Sequence, residues 1–124
     1  MKLIEILDIN LFIEQVKSQS LPFKTSYKLA KTAKAIETEV IFYQTKFREI
    51  IMQYAEIDEN GQPVFIDGGT GIKLKEGLEQ ECNEKITELQ NTEVVFEYAP
   101  FDPEEFDNIE LSADILELAL PLFE

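Results

Sequence analysis

The sequence predicts an α+β protein: one long helix at about residues 26–55, packed with two or three shorter helices and a small antiparallel β-hairpin or sheet. Three observations predict it. From Thr25 to Ala55 no Gly or Pro interrupts the chain, and Leu29, Ala33, Ile36, Val40, Tyr43, Phe47, Ile50 and Tyr54 follow at alternating spacings of four and three. Asn60-Gly61 and Gly68-Gly69 then bracket a short β-branched and aromatic run, the pattern of a tight turn beside a strand. Further on, "EVVFEY" at 93–98 has strand composition and is ended by Pro100. A chain of 124 residues is long enough for one modest core, so a single domain over 1–124 is expected.

In chain order, Lys2–Leu7 reads as a strand or extended entry. A helical stretch follows, with Asp8 or Asn10 as cap and Leu11, Phe12 and Val16 as its buried side. Pro22 forces Leu21 out of helical geometry and separates this piece from the next. Thr25 or Ser26 can cap the long helix, whose eight spaced apolar residues fit a 3.5-residue repeat. At 1.5 Å per residue it is about 45 Å long. Ile41, Phe42, Ile51 and Met52 widen its apolar stripe. Such a helix needs cover along its length, either from the N-terminal helix and a later one or from a second copy.

"YAEIDENGQPVFID", residues 54–67, places Glu56, Asp58, Asn60, Gly61 and Asp67 at positions 1, 3, 5, 6 and 12 of the calcium-loop pattern. That loop needs a bidentate Glu at its twelfth position and a helix directly after it. Here Asp67 stands at that position, Gly-Gly-Thr-Gly follows, and Pro63 interrupts, so a hairpin is expected and no metal site. "GGTG" lacks the following Lys-Ser/Thr of a phosphate loop. A second helix is expected from about Glu76 to Gln90, with Leu78, Cys82, Ile86 and Leu89 inward. No His or basic cluster adjoins Cys82 in sequence to lower its pKa, so it reads as a small core residue. After the acidic loop "FDPEEFDN", Ser112 caps a closing helix over Ala113–Ala119, and Pro121-Leu122-Phe123 forms an apolar tail. Of Phe101, Phe106 and Phe123, two are expected in the core.

Charge is distributed unevenly. The net charge is −14, yet residues 15–36 hold Lys17, Lys24, Lys28, Lys31 and Lys34 and no acid, while residues 86–124 hold eleven acids and no base. Two readings of the lysines stand open: an anion site at Lys24, Lys28 and Lys31, or attraction to the acidic C-terminal segment. Histidine is absent, which removes the commonest general base and the commonest transition-metal ligand. No cofactor and no catalysis are therefore expected. The apolar runs are too short to cross a membrane, the N-terminus lacks a secretory run, and one cysteine fits a reducing compartment, so a cytoplasmic setting is expected.

"LPFKTSYKLAKTAKAIETEV", "IIMQYAEIDENGQPV", "ELQNTEVVFEY" and "LSADILELALPLFE", in this order and spacing, resemble an uncharacterised family of short proteins from tailed bacteriophages and prophages. The resemblance runs from about Leu21 to Glu124; the Gly68–Gly71 insert and "FDPEEFD" depart from the group and inherit least. It implies a phage or prophage origin and the cytoplasm of an infected bacterium, or the virion, as the setting. It carries no catalytic residue across.

The function expected is stoichiometric, non-catalytic binding of a host, defence or virion protein, with Phe101, Asp102, Glu104, Glu105 and Phe106 as candidate contacts. One alternative is a virion or tail-assembly component whose long helix packs against copies of itself. Another is sequestration of an anion or nucleotide at Lys24, Lys28 and Lys31. An enzyme working through carboxylates such as Asp102 and Glu104, and an acidic nucleic-acid mimic, rank lower. A nucleic-acid partner is disfavoured by the net charge of −14.

Overall fold

The computed structural model describes residues 1–123. It is α+β: helices α1 (Leu3–Val16), α2 (Phe23–Tyr54), α3 (Glu79–Gln90) and α4 (Ala113–Leu118), and an antiparallel pair of short strands, β1 (Phe65–Ile66) and β2 (Gly71–Ile72). Single turns of 3-10 helix lie at Asp67–Gly69, Pro103–Phe106 and Leu120–Phe123. The contacts divide into two compact units. One is Met1–Ile41 with the chain from Glu93 onward, the other Phe42–Thr92.

The first unit holds the principal core. Leu3, Ile6, Ile9, Phe12, Ile13 and Val16 are all buried, at the three- and four-residue spacing of one helical face. The expected extended entry at Lys2–Leu7 is therefore helical. Its N-terminus is secured by Glu5, whose Oε1 accepts from the Lys2 amide at 2.8 Å. A helix beginning at Leu3 turns Leu11, expected inside, outward. The buried face of α1 joins Leu29, Ile36 and Val40 of α2, Phe101, Phe106, and Ala119 and Leu122 of the closing segment in one cluster.

α2 begins at Phe23, directly after Pro22, whose carbonyl accepts from the Ser26 amide at 3.0 Å. Thr25, expected as a cap, lies inside the first turn with its side chain buried. Proline suits a helix entrance because it lacks the N–H that would go unpaired there.

The expected strand at 93–98 makes one bridge only, Lys2 with Glu93. Its side chains still alternate. Val94, Phe96 and Tyr98 pack on the core while Val95 is 98% exposed. Strand propensity measures fit to a half-buried surface, and that fit is met here without a partner strand. The Tyr98 hydroxyl donates to the Pro121 carbonyl at 3.0 Å, fastening this segment to the tail. In α4 the Ser112 hydroxyl accepts from the Ile115 amide at 3.3 Å, the expected cap.

In the second unit, β1 and β2 pair Phe65 with Ile72 and Ile66 with Gly71. Bridges Ala55–Leu74 and Ile57–Pro63 extend the pairing toward the end of α2. The Asn60-Gly61 turn forms as the sequence indicates, with Gly61 at φ +75. Asp67, Gly68 and Gly69 also take positive φ in the second turn, where only glycine does so without cost. Gly77, at φ +81, delays α3 to Glu79, three residues past the expected start. Among the described residues of this unit, only Tyr54, Ala55 and Cys82 are buried.

Candidate functional site: an apolar groove

The acidic loop is organised from within by one carboxylate. Pro103–Phe106 forms a turn in which the Glu105 Oε2 accepts from the Asp102 amide at 2.8 Å, and the Glu105 amide donates to the Asp102 carbonyl at 2.9 Å. Glu105 is also held from α2: Lys28 Nζ stands 3.1 Å from its Oε2, and Thr25 Oγ1 donates to its Oε1 at 3.3 Å. Burial alone would raise the Glu105 carboxyl. The Asp102 amide, Lys28 and Thr25 together outweigh it and hold the pKa below its ordinary value.

That turn drives Phe101 and Phe106 inward. They are 2% and 5% exposed, with ring centroids 5.5 Å apart, and Phe106 meets Phe12 edge-on at 5.5 Å. Of the five expected partner contacts, Phe101 and Glu105 are thus committed to internal packing and pairing, and Phe106 keeps only a small exposed edge. Asp102 and Glu104 remain on the surface. The aromatic residues lie among acids in sequence because the turn needs both classes: carboxylates to cap it, rings to anchor it.

Above these rings, the loop, α4 and the tail enclose a groove of about 480 Å³ lined by Phe106, Ile109, Leu111, Leu116, Leu120 and Phe123, with Asp107 at its edge. Leu120 is 58% exposed. Exposed acids flank the lining residues in sequence: Asp107 after Phe106, Glu110 between Ile109 and Leu111, Glu117 after Leu116. Sequence reasoning missed this groove. The available signal was the interleaving of apolar and acidic residues across 106–123.

The expected anion-site lysines do come together. Lys24, Lys28 and Lys31 line a groove of about 760 Å³ with Tyr27, Thr32 and Tyr98. Lys28, however, donates to the Pro100 carbonyl at 2.9 Å as well as to Glu105, and sits 5.3 Å from the Phe101 ring centroid. Of the two readings left open, attraction to the acidic segment holds for this lysine. Lys31 lies over the Tyr27 ring, Lys34 pairs with Glu37, and Glu97 also lines the groove.

The 54–67 stretch spends its central acid on its own backbone. Asp58 Oδ1 accepts from the amides of Asn60 and Gln62, both at 2.9 Å. Glu56 pairs with Lys73 at 3.2 Å. Among the described residues no three His, Cys, Asp or Glu side chains converge as metal ligands. Burial pushes the Cys82 thiol pKa up, the opposite of activation. No helix of the described residues is long and apolar enough to cross a membrane.

A comparison with protein-family models, curated proteins and solved structures finds no match to this chain.

Proposed function

We propose that this chain is a non-catalytic protein of bacteriophage or prophage origin that acts by stoichiometric binding of a host or defence protein. It docks a basic, amphipathic segment of that partner in the groove formed by Phe106, Ile109, Leu111, Leu116, Leu120 and Phe123. The observation that supports the reading is the groove itself, an apolar trough with Asp107 among its lining residues; Glu110 and Glu117 neighbour lining residues in sequence. Apolar side chains of the partner supply affinity there, while its basic residues meet the acids and set orientation and encounter rate. The resemblance to short phage proteins supports the origin, and the cytoplasm of the infected host is the setting proposed.

Site-specific photo-crosslinking in infected cells tests the reading. A crosslinker at Leu120, on the groove, is expected to trap one protein at one-to-one stoichiometry, while the same group at Val95 traps none. Asp107→Lys and Glu110→Lys should weaken capture at least tenfold, and added salt should weaken it in the wild type. Equal trapping at both positions, or capture indifferent to the charge reversals, would overturn the proposal.

A second reading, a virion or tail-assembly component, is favoured by the apolar repeat along α2. It requires particles of high mass containing many copies, which the same purified material would reveal.

A further inference from the structure

Four of the chain's eleven lysines and arginines line one groove of the first unit, about 760 Å³ in volume. Lys24, Lys28, Lys31 and Lys34 follow at spacings of four, three and three on α2, so they repel one another along one helix face. Lys24, in the first turn, also opposes the helix dipole. Folding compensates two of the four: Lys28 pairs with Glu105 and Lys34 with Glu37. Among the described residues, Lys24 and Lys31 make no ion pair. Such an uncompensated local conflict is characteristic of a functional site. The groove also holds an unused donor. Thr32 is only 2% exposed, and its hydroxyl makes no hydrogen bond among the described residues. No sealed side-chain polar atom there lacks a partner, so this hydroxyl opens on the groove it lines.

We infer that this groove binds a nucleoside di- or triphosphate. The phosphates lie between the Lys24 and Lys31 ammonium groups and accept from the Thr32 hydroxyl. Those lysines are seven residues apart, about 10 Å along the axis, a span their flexible stems close around a diphosphate. The remaining walls select a nucleoside over a bare anion. Tyr27 is 56% exposed and stacks on Phe23 with centroids 6.1 Å apart, and Lys31 Nζ stands 5.5 Å from the Tyr27 ring centroid. The base takes the ring face that the ammonium leaves as it turns to the phosphates. Tyr98, fixed by its hydroxyl on the Pro121 carbonyl, closes the groove opposite. Glu97 is the one acid of the lining; it repels phosphate but accepts from a ribose hydroxyl. The volume lies within the roughly 300–1,000 Å³ of small-molecule sites. The net charge of −14 acts weakly here, since salt screens charges beyond about 8 Å at physiological ionic strength. This groove shares no lining residue with the apolar one, and the inference does not rest on that reading.

Isothermal titration of the full chain with ADP should show one site per chain, with a dissociation constant of about 100 µM or below. Adenosine and pyrophosphate, the two halves of that probe, should each bind at least about tenfold more weakly. Lys24 and Lys31 are exposed, so replacing them leaves the core intact. Lys24→Gln and Lys31→Gln should each weaken ADP about fivefold or more, while Lys46→Gln, in the second unit, leaves it unchanged. Glu97→Gln should weaken ADP and leave pyrophosphate no weaker. Thr32→Val, which keeps the buried shape, should weaken both by about threefold without lowering Tm. No saturable ADP binding below about 1 mM would overturn the inference. So would pyrophosphate binding as tightly as ADP, which marks a bare anion patch, or ADP binding indifferent to Lys24→Gln and Lys31→Gln.

Discussion

Replacing Glu105 by alanine should destabilise the first unit by about 2–3 kcal/mol, a value built from its neighbours. The substitution strips an acceptor from the Asp102 amide, from Lys28 and from the Thr25 hydroxyl. The Lys28 and Glu105 side chains are only 16% and 14% exposed, so this is close to a buried pair, and breaking such a pair costs roughly 3–5 kcal/mol. The cost falls below that range because Lys28 keeps the Pro100 carbonyl and the Phe101 ring and retains a path to water. Urea unfolding followed by circular dichroism measures it, and a loss of this size corresponds to roughly 10 °C in Tm. The pH dependence is a second check. The folded pKa of Glu105 lies below its ordinary 4.5, so its contribution is complete above that value and is lost as pH falls through the folded pKa. The gap between wild type and Glu105→Gln should therefore stay constant from neutral pH down to about 5.5 and close at lower pH. A loss under about 0.5 kcal/mol for Glu105→Ala, or a gap unchanged in acid, would refute the reasoning.

Asp8 gives the opposite sign: burial first, then Glu5 and Glu117, raise its carboxyl above 3.8, so folding loses stability as pH rises from there through the folded pKa. Asp8→Asn should stabilise by about 0.5 kcal/mol at pH 7, with the gain vanishing where the wild-type group is protonated in both states; denaturation at pH 7 and pH 3 compares them. Ser112→Ala removes the α4 cap and should cost about 1 kcal/mol, largely restored by Ser112→Asp, as read from Tm. Gly61→Ala forces a side chain into φ +75 and should cost about 1–2 kcal/mol locally, seen as faster amide exchange at Asn60 and Gln62; Gly61→Asn should cost less.

α2 was the most legible element, because eight spaced apolar residues without Gly or Pro leave no competing local structure. Its cap lies three to four residues before the expected one: Thr25 and Ser26 match the cap composition, but Pro22 opens the helix and Thr25 reaches for Glu105 instead. The front of α1 is less legible because Leu3-Ile4-Glu5-Ile6-Leu7 is nearly all apolar, a run that does not distinguish a strand from a buried helix turn. At 93–98 the alternation was real and the inferred ladder was not. The Asn-Gly hairpin and the Ser112 cap were readable because each depends on chemistry within a few residues. The Lys28–Glu105 pair was not, since it joins residues 77 apart in sequence, and the apolar groove was not, since it depends on how the turns within 103–123 fold back on one another.

The chain has a single thiol, and it sits fully buried in the unit that has the thinnest interior. A thiol reagent can reach Cys82 only when that unit opens, so the labelling rate of the native protein clocks this event and ignores unfolding confined to the other unit. Nature has left a stopwatch in the less protected half of the molecule, legible without adding any dye or tag.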